Sequence, residues 1–393
     1  MIKMIDKECY VCKKHDLIKH DFYDELCVEC GELSFMKRNQ TANLKGYTAL
    51  VTGARIKIGY EASLKLLRSG AKVLITTRFP NDALLRYSRE KDFNSWKEML
   101  YIYTIDLRLL SSIESFIHFI KQEFNDINII INNAAQTIRR PPIFYKHLLQ
   151  NELTYKTKEI NKILSSGNKD KDSKLISGVP LDLYNIIVPF DKAYNKIPAE
   201  LTQIPLLKED LDFDLNFFPK NVYDKDGQQE DRRPENSWSM NLSDINLIEF
   251  IEVLYINTVA PFLFNSKLRE LLASKKTPSY IINVSAMEGN FNREDKSIRH
   301  PHTNMAKAAL NMMTRTSASD YAEDLIYMNS VDVGYITNEK PFPLDVDNND
   351  RIYKMPLDEI DGAARICDPI FEGVNNKNYI YGQFLKNFNS HPW

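Results

Sequence analysis

YTALVTGARIKIGYEASLKLLRSG, residues 47–70, changes its periodicity in mid-run. YTALVT is continuously apolar or β-branched, the pattern of a strand buried on both faces. IGYEASLKLLRSG spaces its apolar residues as a helix does and closes on Gly70. Between them lies a glycine turn, Thr52-Gly53-Ala54-Arg55-Ile56-Lys57-Ile58-Gly59. Glycine there lets backbone approach a pyrophosphate, and the helix N-terminus favours the anion. A glycine turn alone is a weak sign, but the rest of the chain repeats the rhythm. AKVLITTR (71–78), YIYTIDL (101–107), INIIINNAA (127–135), SYIINVSA (279–286) and YMNSVDVG (327–334) read as further strands. SSIESFIHFIKQEF (111–124) reads as a helix between two of them. Strands alternating with helices predict an α/β fold with a doubly wound parallel sheet, its ligands lying beyond the carboxyl ends of the strands. PLDEIDGAARICDPIF (356–371) reads as a late helix and YIYGQFL (379–385) as a last strand.

Taken in order, these segments resemble the short-chain dehydrogenase/reductase family. TGARIKIG stands for its cofactor loop, Asp106-Leu107 for its adenine pocket and NNAA (132–135) for the loop after strand four. INTVAPF carries Asn257, INVSAMEG (282–289) is the strand-five segment, MAKAALNMMTR carries Lys307, and VDVGYIT (331–337) is the loop after strand six. The resemblance implies a Rossmann-like sheet and a nicotinamide cofactor. Its contacts would come from Thr52, Gly53, Arg55, Lys57, Ile58, Gly59, Asp106, Leu107, Asn133, Ala134, Lys307, Gly334, Ile336 and Thr337. The second strand ends Thr76-Thr77-Arg78, without the acid that binds NAD ribose hydroxyls. Arg78, with Arg55 as a second candidate, could pair with the 2′-phosphate of NADP(H); the bland alternative is an exposed loop arginine.

The family's chemistry is incomplete here. The resemblance places Asn257 and Lys307 in two of four catalytic roles, but the tyrosine slot holds Thr303 and the serine slot Ala286, with Ser285 one residue early. A threonine hydroxyl does not ionise near neutral pH. His302, adjacent to the slot, is the acid–base candidate because imidazole titrates near pH 6.5, with His300 as a weaker choice and a satisfied core histidine as the alternative. Lys57 replaces the middle glycine of the cofactor loop, Val333 stands where a proline precedes the glycine, and Thr337 falls one residue early.

Ahead of this fold, Cys9, Cys12, Cys27 and Cys30 are spaced C-x2-C-x14-C-x2-C. Two such turns can complete a tetrahedral zinc shell; two redox pairs are the alternative. Gly31 suits a backbone bend after the knuckle, and GELSFMKRNQ begins a helix. Residues 1–40 carry seven Lys/Arg against eight Asp/Glu, so this segment lacks the positive surplus that nucleic acid binding needs. The readings are a structural zinc staple or a recruitment module for a protein partner. The whole chain, 43 % hydrophobic with a net charge of −2, likewise speaks against a nucleic-acid binder. No apolar run reads as a membrane span and no signal peptide opens the chain, so a cytoplasmic protein is expected.

The resulting division is a zinc-binding segment at 1–44 and a dinucleotide-binding domain at 45–393, interrupted by an insertion at 136–245. In the insertion, FYKHLLQNEL (144–153) reads as a helix, SSGNKDKDSK (165–174) and YDKDGQQEDRRPENS (223–237) as solvated or disordered loops, and VPLDLYNIIVPF (179–190) as packable. It could serve as a lid, a specificity element or a partner surface. Two functions remain open: an NADP(H)-dependent oxidoreductase acting on a carbonyl or hydroxyl with a remodelled proton donor, and a non-catalytic NADP(H)-binding sensor or scaffold. A small-molecule substrate, a protein partner and a homo-oligomer are all compatible with the sequence.

Overall fold

The computed structural model of the 393-residue chain describes residues 4–5, 8–154, 198–211, 214–293, 296–337, 339–342 and 355–393. Eight strands form one sheet: β1 (Thr48–Thr52), β2 (Lys72–Thr77), β3 (Leu100–Thr104), β4 (Ile129–Asn132), β5 (Ser279–Ser285), β6 (Ile326–Asp332), β7 (Phe384–Lys386) and β8 (Asn389–His391). Their spatial order is 3-2-1-4-5-6-7-8. β1 to β7 run parallel and β8 returns antiparallel. The strand order reverses where β1 pairs with β4, at Leu50↔Ile130 and Val51↔Ile131, and the crevice for a ligand opens at the carboxyl ends there.

The flanking helices are α1 (Val28–Asn39), α2 (Lys57–Arg68), α3 (Pro80–Tyr87), α4 (Leu110–Glu123), α5 (Pro142–Thr154), α6 (Leu247–Lys267), α7 (Pro301–Glu323) and α8 (Glu359–Asn376). Successive strand residues serve opposite faces. Val51, Ile75, Ile131 and Ile282 pack with Ala62 and Leu66 of α2 and Ile366 and Ile370 of α8. Leu50, Leu74, Ile130 and Ile281 pack with Phe116 and Ile120 of α4 and Ala260 and Phe264 of α6. This double burial explains the unbroken apolar strands of the sequence, and each such side chain contributes roughly 1.5–3 kcal/mol.

Several expectations need correction. Helix α6, 21 residues with a mean hydropathy of 1.6 over its most apolar 18, is long and apolar enough to cross a membrane by length and composition alone. Val253, Ala260 and Phe264 of this helix pack into the fold, while Leu247, Ile251 and Phe262 are exposed. Gly31 makes no bend. It lies inside α1, where a Cβ would stand 2.3 Å from Cγ of His20, so glycine is there for close packing. Of YIYGQFL only the end enters the sheet, because Gly382 at φ +65° breaks the extended run. YDKDGQQEDRRPENS is packed rather than solvated: Gln228 and Gln229 are buried, Asp231 pairs with Arg140 and Arg233, and Lys225 reaches Glu359 at 2.5 Å. FYKHLLQNEL lies in α5. The readings of SSGNKDKDSK and VPLDLYNIIVPF fall outside the described residues.

Candidate active site

The glycine turn is built by close contacts. Gly53 has φ +66°, and a Cβ there would come within 2.8 Å of Ala134 Cα. A Cβ on Gly59 would come within 2.4 Å of Asn133 Nδ2. Thr52 Oγ1 accepts from the Asn133 and Ala134 amides at 3.0 Å each, and Asn133 Nδ2 donates to the Thr52 and Gly53 carbonyls. Lys57 takes the left-handed conformation its glycine slot requires, φ +57°, as the first residue of α2. Ile58 and Ile336 meet above Gly362 of α8, where any Cβ would touch Ile336 at 2.5 Å.

Two candidate cofactor residues are already engaged. Arg55 is buried and donates to Asp82 Oδ2 and Gln228 Oε1, both at 2.7 Å. Gln228 belongs to the insertion turn 224–228, which His147 of α5 also ties down through the Gly227 carbonyl at 3.0 Å. Asp106 is buried and accepts a forked contact from Arg108, the shortest bond 2.7 Å; that guanidinium holds its carboxyl below the usual range against the cost of burial. Leu107, beside it, packs into the apolar layer under α4 and α6. Arg78 has no carboxylate within ion-pair distance among the described residues; its guanidinium lies 4.7 Å from the Tyr145 ring of α5. Helix α5 braces this corner, since Glu152 accepts from the Asn81 and Asp82 amides at 3.1 and 3.0 Å.

Further along the crevice, Lys307 is buried on α7 and donates from Nζ to the Val284 carbonyl at 2.8 Å. Burial pulls it down to about 8, with Glu288 and Asp332 opposing. The turn Met287–Gly289 seats on this helix so closely that a Cβ at Gly289 would lie 2.5 Å from the Lys307 carbonyl carbon. Asn257 lies in a π-helical turn of α6, Tyr255–Val259, and clasps Gln136 through both its amide groups, 2.8 and 2.9 Å. Thr258 links that turn to the Ala306 carbonyl, 3.2 Å away. Thr303 is buried with its hydroxyl on the Thr137 carbonyl at 3.4 Å. Ser285 donates to Asn311 Oδ1 at 2.6 Å.

His302 turns to another face of α7. It is 1 % exposed, neither ring nitrogen completes a hydrogen bond, and Nε2 stands 3.9 Å from Glu249 Oε1 of α6. Burial, then the neighbouring His300, pulls it down to about 4. His300 stacks on Trp238 at 3.9 Å and hydrogen-bonds its carbonyl. The fold thus gathers Asn257 and Thr303 about the 136–137 backbone and seats Lys307 on the Val284 carbonyl; His302 faces the Thr137 backbone as well as Glu249.

At the front, the Sγ atoms of Cys9, Cys12, Cys27 and Cys30 all lie within 4.8 Å of one another, Cys12 and Cys27 at 3.9 Å. Four thiolates at ~2.3 Å from a zinc ion sit ~3.8 Å apart, so the donor set fits. His20 is occupied elsewhere, accepting from the Phe22 and Tyr23 amides. Tyr10, between the first two cysteines, accepts on its hydroxyl from the Tyr335 amide at 2.8 Å. Burial, then Asp332, pushes this phenol up to about 12. Sequence reasoning missed Tyr10, Gln228, Arg108 and Glu249.

Comparison with known proteins agrees with the fold. The short chain dehydrogenase model matches residues 47–161, and the enoyl-(acyl carrier protein) reductase model matches residues 234–354. The uncharacterized protein R665 of Acanthamoeba polyphaga mimivirus is 30 % identical over 376 residues, 93 % of this chain and 71 % of that one. This chain belongs to the short-chain dehydrogenase/reductase family. (-)-Isopiperitenone reductase of Mentha piperita is 34 % identical over 88 residues, 22 % of this chain and 28 % of its own length. Among solved structures, the Pseudomonas aeruginosa RhlG/NADP complex superposes with a TM-score of 0.50 at 16 % identity, covering 87 % of this chain and 95 % of that one. NADPH-bound carbonyl reductase from chicken fatty liver does so at 0.50 and 16 %, covering 90 % and 100 %.

Proposed function

We propose that this chain is an NADP(H)-dependent oxidoreductase acting on a carbonyl or hydroxyl substrate, with Lys307 as its proton source. One observation carries the reading: a buried lysine whose Nζ is fixed on the Val284 carbonyl and whose proton is held near pH 8. A positioned acid that titrates near working pH is what general acid catalysis requires. When bound, the cofactor supplies the hydride. The glycine turn, with Thr52, Gly53, Lys57, Ile58 and Gly59, would hold its phosphates, and Gly334, Ile336 and Thr337 would flank its nicotinamide end. Arg78 would meet the 2′-phosphate. Lys307 would release its proton toward the nascent alkoxide through Thr303 or water. The four cysteines would hold zinc as a structural ion.

A second reading, a non-catalytic NADP(H)-binding sensor, rests on the slots of the absent tyrosine and serine, Thr303 and Ala286. Neither side chain there supplies the family's contact to a reacting oxygen, whereas the glycine turn that would bind the cofactor is kept. The deciding experiment is a titration with NADPH and then NADH by nicotinamide fluorescence, followed by a carbonyl reduction screen. NADPH binding with turnover that Lys307→Met abolishes supports the oxidoreductase. NADPH binding without any turnover supports the sensor. No binding of either nucleotide overturns both.

A further inference from the structure

The four-cysteine knuckle does not stand apart from the crevice. Tyr10 projects from it onto the segment that follows β6. Its ring packs in a small core with Tyr23, Leu26, Val333, Ile336 and Leu357. Its hydroxyl takes the Tyr335 amide at 2.8 Å. Gly334, at φ +87°, lies under this contact: a Cβ would stand 2.7 Å from Leu357 Cδ1 and 3.4 Å from Tyr10 Oη. The other end of the same connection is held as well. Tyr23 donates to Asp361 at 2.6 Å, and Arg38 forks onto Asp358, the N-cap of α8, at 2.6 and 2.8 Å. The knuckle therefore grips both described ends of the connection between β6 and α8.

We propose that the metal-loaded knuckle is a clamp on the cofactor-binding segment Gly334–Ile336, with Tyr10 as its positioning residue, so that metal occupancy and cofactor binding strengthen each other. A segment with too few apolar residues to fold alone takes its order from its metal. Removing the metal frees Tyr10, and with it the Tyr335 amide. Binding in the crevice must then order a loop that the loaded knuckle would have held in place, which weakens binding. Linkage is reciprocal, so the cofactor must also tighten the metal. The cofactor half of this inference rests on the reading proposed above; the loop half does not.

The test compares the full chain loaded with zinc, the same chain stripped with a chelator, and zinc-loaded Tyr10→Phe. Hydrogen exchange is followed at the Tyr335 amide, and NADPH affinity by nicotinamide fluorescence. The expected result is faster exchange at Tyr335 in both altered proteins. NADPH binding should weaken about five- to tenfold without zinc and less in Tyr10→Phe. Equal exchange in all three proteins overturns the clamp, whether or not NADPH binds. Altered exchange with unchanged NADPH affinity overturns the coupling. If no form binds NADPH while exchange still responds, the clamp stands and the cofactor reading fails. Should the stripped chain unfold, zinc-loaded Tyr10→Phe still decides.

Discussion

Arg55 donates to Gln228, 173 residues away in sequence, and the two side chains meet at 2.7 Å inside the protein. The insertion therefore holds one of the two arginines offered for a 2′-phosphate, while Arg78 lies over the Phe79 and Tyr145 rings, without an ion pair among the described residues. Gln228→Ala should release one arm of Arg55. If that arm then finds the phosphate, NADPH binds about ten- to a hundredfold tighter, since a hydrogen bond to a charged group is worth ~1.5–3 kcal/mol, and NADH affinity stays as it was. Arg78→Ala should weaken NADPH and leave NADH alone. Parallel titrations of both nucleotides read both outcomes. A change shared by NADPH and NADH would mean that neither arginine reads the 2′-phosphate.

Lys307 predicts a pH profile. Burial draws it from 10.5 to about 8, so the ammonium is present below that pH and lost above it. Carbonyl reduction should hold level at lower pH and fall as pH rises through about 8. Lys307→Met should cost roughly 10²–10⁴-fold in kcat and remove this limb. A wild-type rate that stays flat from pH 7 to beyond 9 would assign the proton to another group.

Replacing the two departed side chains asks whether they are all that ordinary chemistry lacks. Thr303 is four residues before Lys307, one helical turn, so a phenol there would share its face. Thr303→Tyr with Ala286→Ser should raise carbonyl turnover at least about tenfold if the rest of the crevice is competent. The cost is overpacking, because Thr303 is already buried against Thr137, and roughly 1–3 kcal/mol of stability is expected to go with it. A double variant that folds, binds NADPH and stays inactive would favour the sensor.

The sheet was legible in the sequence because its strands are buried on both faces, so their apolar runs survive without any alignment. The glycine turn was legible for a related reason: Gly53 and Gly59 sit where a Cβ has no room. What stayed hidden depends on contacts between distant segments. YDKDGQQEDRRPENS looks solvated by composition, yet its charges find partners in Arg140 and Glu359, which no local rule can supply. The direction of His302 was open as well, because a helical step of ~100° from Thr303 leaves its neighbours on other elements undetermined. Tyr10 carried no signal beyond its place between two cysteines.

His302 closes the set of predictions through stability rather than activity. Its pKa falls from 6.5 unfolded to about 4 folded, because burial disfavours the imidazolium. Between those values the unfolded chain binds a proton that the folded chain refuses, so stability rises with pH across that window and is lost as pH falls through it. The difference is on the order of 2–3 kcal/mol. Glu249, 3.9 Å away, is raised by its own burial and acts in the opposite sense, which blunts the slope in the wild type. His302→Leu removes the imidazole and leaves Glu249 in place. Denaturant unfolding of both proteins from pH 4 to 7 should show the variant gaining on the wild type as pH falls. Parallel curves would mean that His302 accepts its proton inside the fold, through a partner such as Glu249, and would return it to the acid–base candidates.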